Sequence, residues 1–104
     1  MSRDKGNRAN AWVASYLRAW WPLAEAIPNG RAGADVENTP GVAFEVKTGA
    51  QWREAWLRQA AKYDGKVKVL VYLPPGCGEK QVAHAQAIVP LHVLMQLLKD
   101  AGYC

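Results

Sequence analysis

Apolar residues recur at helical spacing between Asn10 and Trp21, at Trp12, Val13, Tyr16, Leu17, Trp20 and Trp21, and Pro22 closes the segment. The residues ahead of it are polar and basic, so residues 1–9 are expected to form a flexible arm in front of one domain spanning 10–104. Leu23, Glu25 and Ile27 alternate with Ala24 and Ala26, which predicts a short strand, and Pro28-Asn29-Gly30 is a turn signal. Asp35-Val36 fits a second short strand before the turn Thr39-Pro40-Gly41. The clearest strand is Val42 to Lys47, where Val42, Phe44 and Val46 face one way and Ala43, Glu45 and Lys47 the other. Gln51 to Tyr63 reads as a helix stopped by Asp64-Gly65, and Lys66 to Leu73 as a strand. Pro74 to Lys80 is a loop, Gln81 to Val89 the last strand, and Pro90 opens a final helix that runs to about Ala101 and stops at Gly102. The order is α-β-β-β-α-β-β-α. The short turns among the first strands imply antiparallel pairing, giving a mixed α/β architecture rather than a doubly wound one.

Composition narrows the class. The chain has 104 residues, enough for one domain. Half of them are hydrophobic, which excludes a disordered tail protein. No apolar run approaches the roughly 18 residues of a membrane span, and the polar first residues show no secretory signal, so the expected location is the cytoplasm. Cys77 and Cys104 form no C-x-x-C pair, and His84 and His92 have no cysteine close by, so all four are read as ordinary structure rather than a disulfide scaffold or zinc site. The loop Pro75 to Lys80 lacks the spacing of a P-loop and is expected to be a flexible hairpin carrying Lys80.

The segment Asp35 to Lys47 carries the most chemistry. If the strands on either side of Pro40-Gly41 pair, Asp35 comes close to Glu45. Glu45 and Lys47, two apart on one strand, emerge on the same face. Two carboxylates and the carbonyl of Val46 are hard oxygen donors of the kind that suit Mg²⁺. A lysine beside such a site can orient a water and stabilise charge developing on a phosphate. The same Glu-x-Lys spacing also occurs as a weak ion pair on a solvated strand face.

The flanking sequence separates these readings. Tyr16-Leu17-Arg18, Ala24-Glu25, Asp35-Val36, Pro40-Gly41, Glu45-Val46-Lys47, Trp56-Leu57-Arg58-Gln59-Ala60 and Ala101-Gly102-Tyr103 occur in that order along nearly the whole chain. This ordered set resembles the PD-(D/E)xK nuclease superfamily, and more narrowly the small Holliday junction resolvases encoded by phages of actinobacteria. The resemblance implies a restriction-endonuclease-like fold, a mixed central sheet flanked by helices. It implies metal ligands at Asp35 and Glu45, a catalytic Lys47 and a supporting Gln59. It also implies Mg²⁺ as cofactor, with Mn²⁺ as a substitute, a branched DNA substrate and a two-fold dimer in the host cell cytoplasm. The chain departs from the family pattern at Asn10, where a glutamate is usual, and at Ala34, where proline or glycine is common. Glu25 is a further acidic candidate beside Asp35; a plain strand-surface glutamate is the alternative.

A net charge of +4 fits a nucleic-acid partner once joined to an acidic pocket. Arg3, Lys5, Arg8, Arg31, Arg58 and Lys62 are the candidate phosphate contacts. Of the five tryptophans, Trp12, Trp20, Trp52 and Trp56 fall on apolar helical faces, and Trp21 beside Pro22 is the one expected to be most exposed. The final helix is apolar on more than one face, which fits either deep burial or cover by a second subunit. Asn10 motivates a rival function, a nuclease-fold protein that binds branched DNA with weak or no catalysis. A structural oligomer built through the last helix is a third reading.

Overall fold

The computed structural model describes the backbone of residues 2–28, 34–50, 54–60 and 67–104. It is a small α/β domain in which helices lie against a five-stranded mixed sheet. The elements are α1 (Ser2–Leu17), β1 (Glu25–Ala26), β2 (Val36–Glu37), β3 (Val42–Thr48), α2 (Ala55–Ala60), β4 (Val67–Leu73), a 3₁₀ turn (Glu79–His84), β5 (Gln86–Ile88) and α3 (Leu91–Asp100). In space the strands follow their chain order, β1-β2-β3-β4-β5. Only β3 and β4 are parallel; the other neighbours pair antiparallel. No helix among the described residues is long and apolar enough to cross a membrane.

The alternation along β3 divides the molecule into two faces. Phe44 and Val46 pack under α1 with Ala9, Val13, Ala14 and Leu17, and Leu73 and Val82 complete that core. The inward stripe of α1 recurs at Ala9, Val13 and Leu17, one residue per turn. On the opposite face, β4 sets Lys68, Leu70 and Tyr72 beside Ala43, Glu45 and Lys47 in parallel register. There Trp56 of α2 packs on Tyr72, with ring centroids 5.5 Å apart.

Local chemistry sets the boundaries. The turn into β3 needs a positive φ at Asn38 (65°) and Gly41 (83°), and the sequence supplies the two residue types that tolerate it best. The Thr39 hydroxyl closes the turn by donating to the Val42 carbonyl at 2.9 Å. α3 ends as a Schellman motif, with Gly102 at φ 90° and the Tyr103 N–H donating to the Leu98 carbonyl at 2.9 Å.

Several expectations are corrected. α1 begins at Ser2, so Asn10 is not an element boundary and residues 2–9 continue the helix; their polar side chains simply give no apolar stripe until Ala9. The helix also ends earlier, at Leu17, where the N–H groups of Trp20 and Trp21 both turn back to the Leu17 carbonyl. Arg18 fixes this corner through Nε, which donates to the Ala24 carbonyl at 2.8 Å. The corner reverses the expected fates of the two tryptophans. Trp21 packs edge-on against Phe44, whereas Trp20 is 61% exposed and leans on Tyr16. Trp12 does pack against the core, and Trp52 lies outside the described residues. The last strand is only Gln86–Ile88, because Glu79–His84 winds into a 3₁₀ turn that buries Val82 beneath α1. Lys80 therefore lies on that turn, not on a hairpin tip. Of the helix expected at Gln51 to Tyr63, Ala55–Ala60 is seen; residues 51–53 and 61–63 lie outside the described residues.

Leu73 is almost completely enclosed, whereas Leu23 is largely in solvent. Leu73→Ala should lower unfolding free energy by about 2–5 kcal/mol, and Leu23→Ala should change it by less than about 0.5 kcal/mol. Urea denaturation followed by circular dichroism measures both.

Candidate functional site

Asp35 stands at the inner end of β2 and is held on three sides. Its N–H donates to the Phe44 carbonyl at 2.9 Å, and its carbonyl accepts from the Ile27 N–H at 2.8 Å. Its carboxylate Oδ2 accepts from the Val46 N–H at 2.7 Å. The physical reason for the third bond is a shortage of strand. Among the described residues β2 pairs with β3 only at Val36 and Phe44, yet β3 runs on to Thr48. The Val46 amide, facing the edge that β2 has vacated, takes an acceptor from a side chain instead. The short distance is typical of a charged acceptor. A residue in a strand directs its N–H and C=O to the same edge, so the Val46 carbonyl points to the edge that holds the Asp35 carboxylate.

Glu45, the residue before Val46 on β3, is only 2% exposed. Lys47 Nζ lies 3.8 Å from Glu45 Oε2, and the lysine keeps about a quarter of its side chain in solvent. A carboxylate this deeply enclosed needs a compensating partner, and the neighbouring ammonium is one. This distinguishes the pair from the solvated Glu-x-Lys that the spacing alone allows. The parallel register sets Lys68 across from Ala43 and Tyr72 across from Lys47. The Tyr72 hydroxyl donates to the Gly49 carbonyl at 2.6 Å and ties down the chain just after Lys47. In the sequence Lys68 is one of several basic residues near the site and Tyr72 an ordinary strand residue, because a parallel register is set by a crossover and not by local pattern. The alternation of Lys68, Leu70 and Tyr72 against Val67, Val69 and Val71 is the signal that marks them as sharing a face.

Asn10 is 1% exposed, and its Nδ2 donates to the Ile27 carbonyl at 3.0 Å. A continuous run of hydrogen bonds thus leads from α1 through Ile27 and Asp35 to Val46. Asn10 acts here as a tie that positions the β1–β2 margin. Glu25 is not brought into the group. Its register partner is Glu37, and it faces solvent, while Ile27 is the β1-side neighbour of Asp35.

The remaining candidates are dispersed. Arg8 is exposed on α1, and Arg58 is exposed on α2. Arg31 and Lys62 lie outside the described residues, as do the side chains of Arg3, Lys5 and Gln59, whose backbones belong to α1 and α2. Cys77 and Cys104 are free thiols. Among the described residues no three His, Cys, Asp or Glu side chains gather. The donors that remain for a cation are the Asp35 and Glu45 carboxylates and the Val46 carbonyl, all hard oxygens. That set fits Mg²⁺, which is commonly held by one or two carboxylates and completes its shell with water and phosphate.

No protein-family model matches the chain, and neither does a curated protein or a solved structure. The functional reading therefore rests on the site itself.

Asp35→Ala removes the acceptor of the Val46 amide and should destabilise the fold by about 1–3 kcal/mol. Asp35→Asn keeps an acceptor oxygen at the same place and should lose clearly less. Equal losses in urea melts of the two variants would show that this hydrogen bond does not hold the margin.

Proposed function

We propose that this chain is a Mg²⁺-dependent endonuclease of the PD-(D/E)xK type, acting on branched DNA as a Holliday junction resolvase. The observation that carries the reading is the convergence on one peptide of β3. The Asp35 carboxylate binds the Val46 amide, and on either side of Val46 stand a buried Glu45 and its Lys47 partner. The order of strands, with an antiparallel margin leading into a parallel pair joined through a helix, is compatible with a restriction-endonuclease-like sheet.

Each residue then has a chemical task. Asp35, Glu45 and the Val46 carbonyl would hold the metal. When bound, Mg²⁺ supplies Lewis-acid polarisation of a phosphoryl oxygen. Lys47, with its ammonium directed along the strand beside Glu45, orients the attacking water and offsets negative charge that builds on the phosphorus as the water adds. The hydrogen bond from Val46 fixes the Asp35 carboxylate before substrate arrives, so little reorganisation is needed on binding. Tyr72 holds the end of β3 and with it the backbone that carries Lys47.

Cleavage of a synthetic four-way junction tests this directly. Asp35→Asn, Glu45→Gln and Lys47→Ala should each slow Mg²⁺-dependent cutting by about a hundredfold or more while circular dichroism stays native. Cutting by all three variants at the wild-type rate overturns the assignment. One feature favours the second reading, a branched-DNA-binding protein with little catalysis: Asn10 is neutral and its amide is already committed to Ile27. Salt-sensitive junction binding by the wild-type protein, with the DNA left intact in Mg²⁺ and in Mn²⁺, would establish that reading instead.

We further propose a two-fold dimer formed through α3. None of the residues of α3 is buried, and Leu91, Leu94, Met95 and Leu97 stand in solvent. A ten-residue helix is marginal in water without packing. The same molecule carries an apolar groove of about 180 Å³ on its α1 face, lined by Val13, Leu17, Val69, Val71, Ala85 and Ala87 among others. A second copy offers α3 to that groove and receives one in return, which closes under two-fold symmetry. Equilibrium sedimentation should find a dimer at micromolar concentration, and the double variant Leu94→Glu, Leu97→Glu should be a folded monomer. A monomeric wild type overturns the dimer.

A further inference from the structure

A second cleft lies on the other face of the sheet from Glu45 and Lys47, at the carboxyl ends of the two parallel strands. It has a volume of about 340 Å³, and Thr48 of β3 and Leu73 of β4 form its floor. α1 supplies one wall through Arg8 and Trp12, and the loop from Pro74 to Gly78 supplies the other. In open α/β sheets the carboxyl ends of parallel strands are where ligands usually bind.

The chemistry of the lining is selective. Among the described residues Arg8 is the one charged residue of the lining, and no carboxylate joins it. Among the described residues Arg8 has no ion pair or hydrogen-bond partner, so its guanidinium is available to an anion. One turn further along α1, Trp12 is half-buried and presents an aromatic wall. Residues at this i, i+4 spacing stand about 5–6 Å apart at Cβ, which leaves room for a sugar between an anion on one and a ring on the other. The facing loop is built before any ligand arrives. The Cys77 N–H donates to the Pro74 carbonyl at 3.0 Å, and the Gly78 N–H donates to Gln81 Oε1 at 3.0 Å. At Gly76, where φ is 88°, even an added Cβ would meet nothing within 4 Å, so the mouth stays open.

An anion joined to a flat ring describes a nucleotide. We propose that this cleft binds one unpaired nucleotide of a DNA strand, with its phosphate on Arg8 and its base stacked on Trp12. Arginine pairs well with phosphate, and tryptophan stacks on any base. The position adds to the argument. Thr48 directly follows Lys47, and successive side chains in a strand point to opposite faces. A strand laid over the end of β3 would therefore meet the proposed cleavage site and this cleft within one residue of each other. The identification of the strand as DNA rests on the endonuclease reading; the nucleotide chemistry of the cleft does not.

Tryptophan fluorescence titrations in EDTA separate the two. The probes are a single-stranded oligonucleotide, deoxyadenosine 5′-monophosphate, deoxyadenosine and inorganic phosphate. Wild-type protein should show saturable quenching by the oligonucleotide and, at least about tenfold more weakly, by the mononucleotide. Deoxyadenosine and inorganic phosphate should each bind far more weakly than the mononucleotide. Arg8→Ala should weaken oligonucleotide binding by about tenfold or more, Arg8→Lys should restore part of it, and Trp12→Phe should remove most of the quenching with native circular dichroism. Oligonucleotide binding that is unchanged in Arg8→Ala, or inorganic phosphate binding as tightly as the mononucleotide, overturns the proposal. So does a mononucleotide that binds as well as the strand, which would make this a site for free nucleotides. Loss of cleavage in Asp35→Asn, with binding indifferent to Arg8, refutes the cleft and leaves the endonuclease standing. Arg8-dependent binding by a protein that cuts nothing does the reverse.

Discussion

The hydrogen bond between the Val46 amide and the Asp35 carboxylate is the constraint around which the candidate site is organised. It exists because β2 is too short to satisfy β3 along its whole length. A backbone donor left over by the sheet must find an acceptor, and here the acceptor is a side-chain carboxyl oxygen. The same side chain that completes the sheet is one of the proposed metal ligands, so under the proposed function one contact serves both stability and chemistry.

That contact depends on others further out. Ile27 reaches Asp35 through the backbone, and Asn10 reaches Ile27 from within α1. An asparagine sealed in an apolar core is tolerable only when its amide is satisfied. Its value is directional: it fixes where the first strand meets the first helix, and so where the second strand ends. On the opposite face, Tyr72 performs a comparable task for the far end of β3 by gripping Gly49. The short segment from Glu45 to Lys47 is therefore held at both ends by polar ties, with apolar packing beneath it.

Much of this was legible in the residues. The alternation of Val42, Phe44 and Val46 with Ala43, Glu45 and Lys47 separates a core face from a chemical one, and both faces are as the pattern requires. Asn38 and Gly41 mark a turn that brings Asp35 back toward Glu45. The order of helices and strands also follows from period and breakers. Other features were not legible, for physical reasons. Helix Ser2–Leu17 begins in a stretch, Ser2 to Arg8, that contains no large apolar residue, so no stripe announces it. The 3₁₀ turn at Glu79–His84 contributes a single buried residue, Val82, too little to reveal a period. The fates of Trp20 and Trp21 turn on the corner that Arg18 ties down, a contact between side chain and backbone that no local pattern encodes. Lys68 and Tyr72 join the site only through the β3–β4 register.

The first two strands have a consequence of their own. β1 and β2 are two residues long, and side-chain amides help hold them, Asn10 on Ile27 and Asn38 on Leu23. β3 and β4, by contrast, pair over seven residues. So small a margin opens by local fluctuation long before the central pair separates, and amide protons along it exchange with solvent earliest. Asp35 travels with that margin. Warming the protein would therefore disengage this carboxylate while the central strands remain intact, at a temperature below that at which the molecule unfolds.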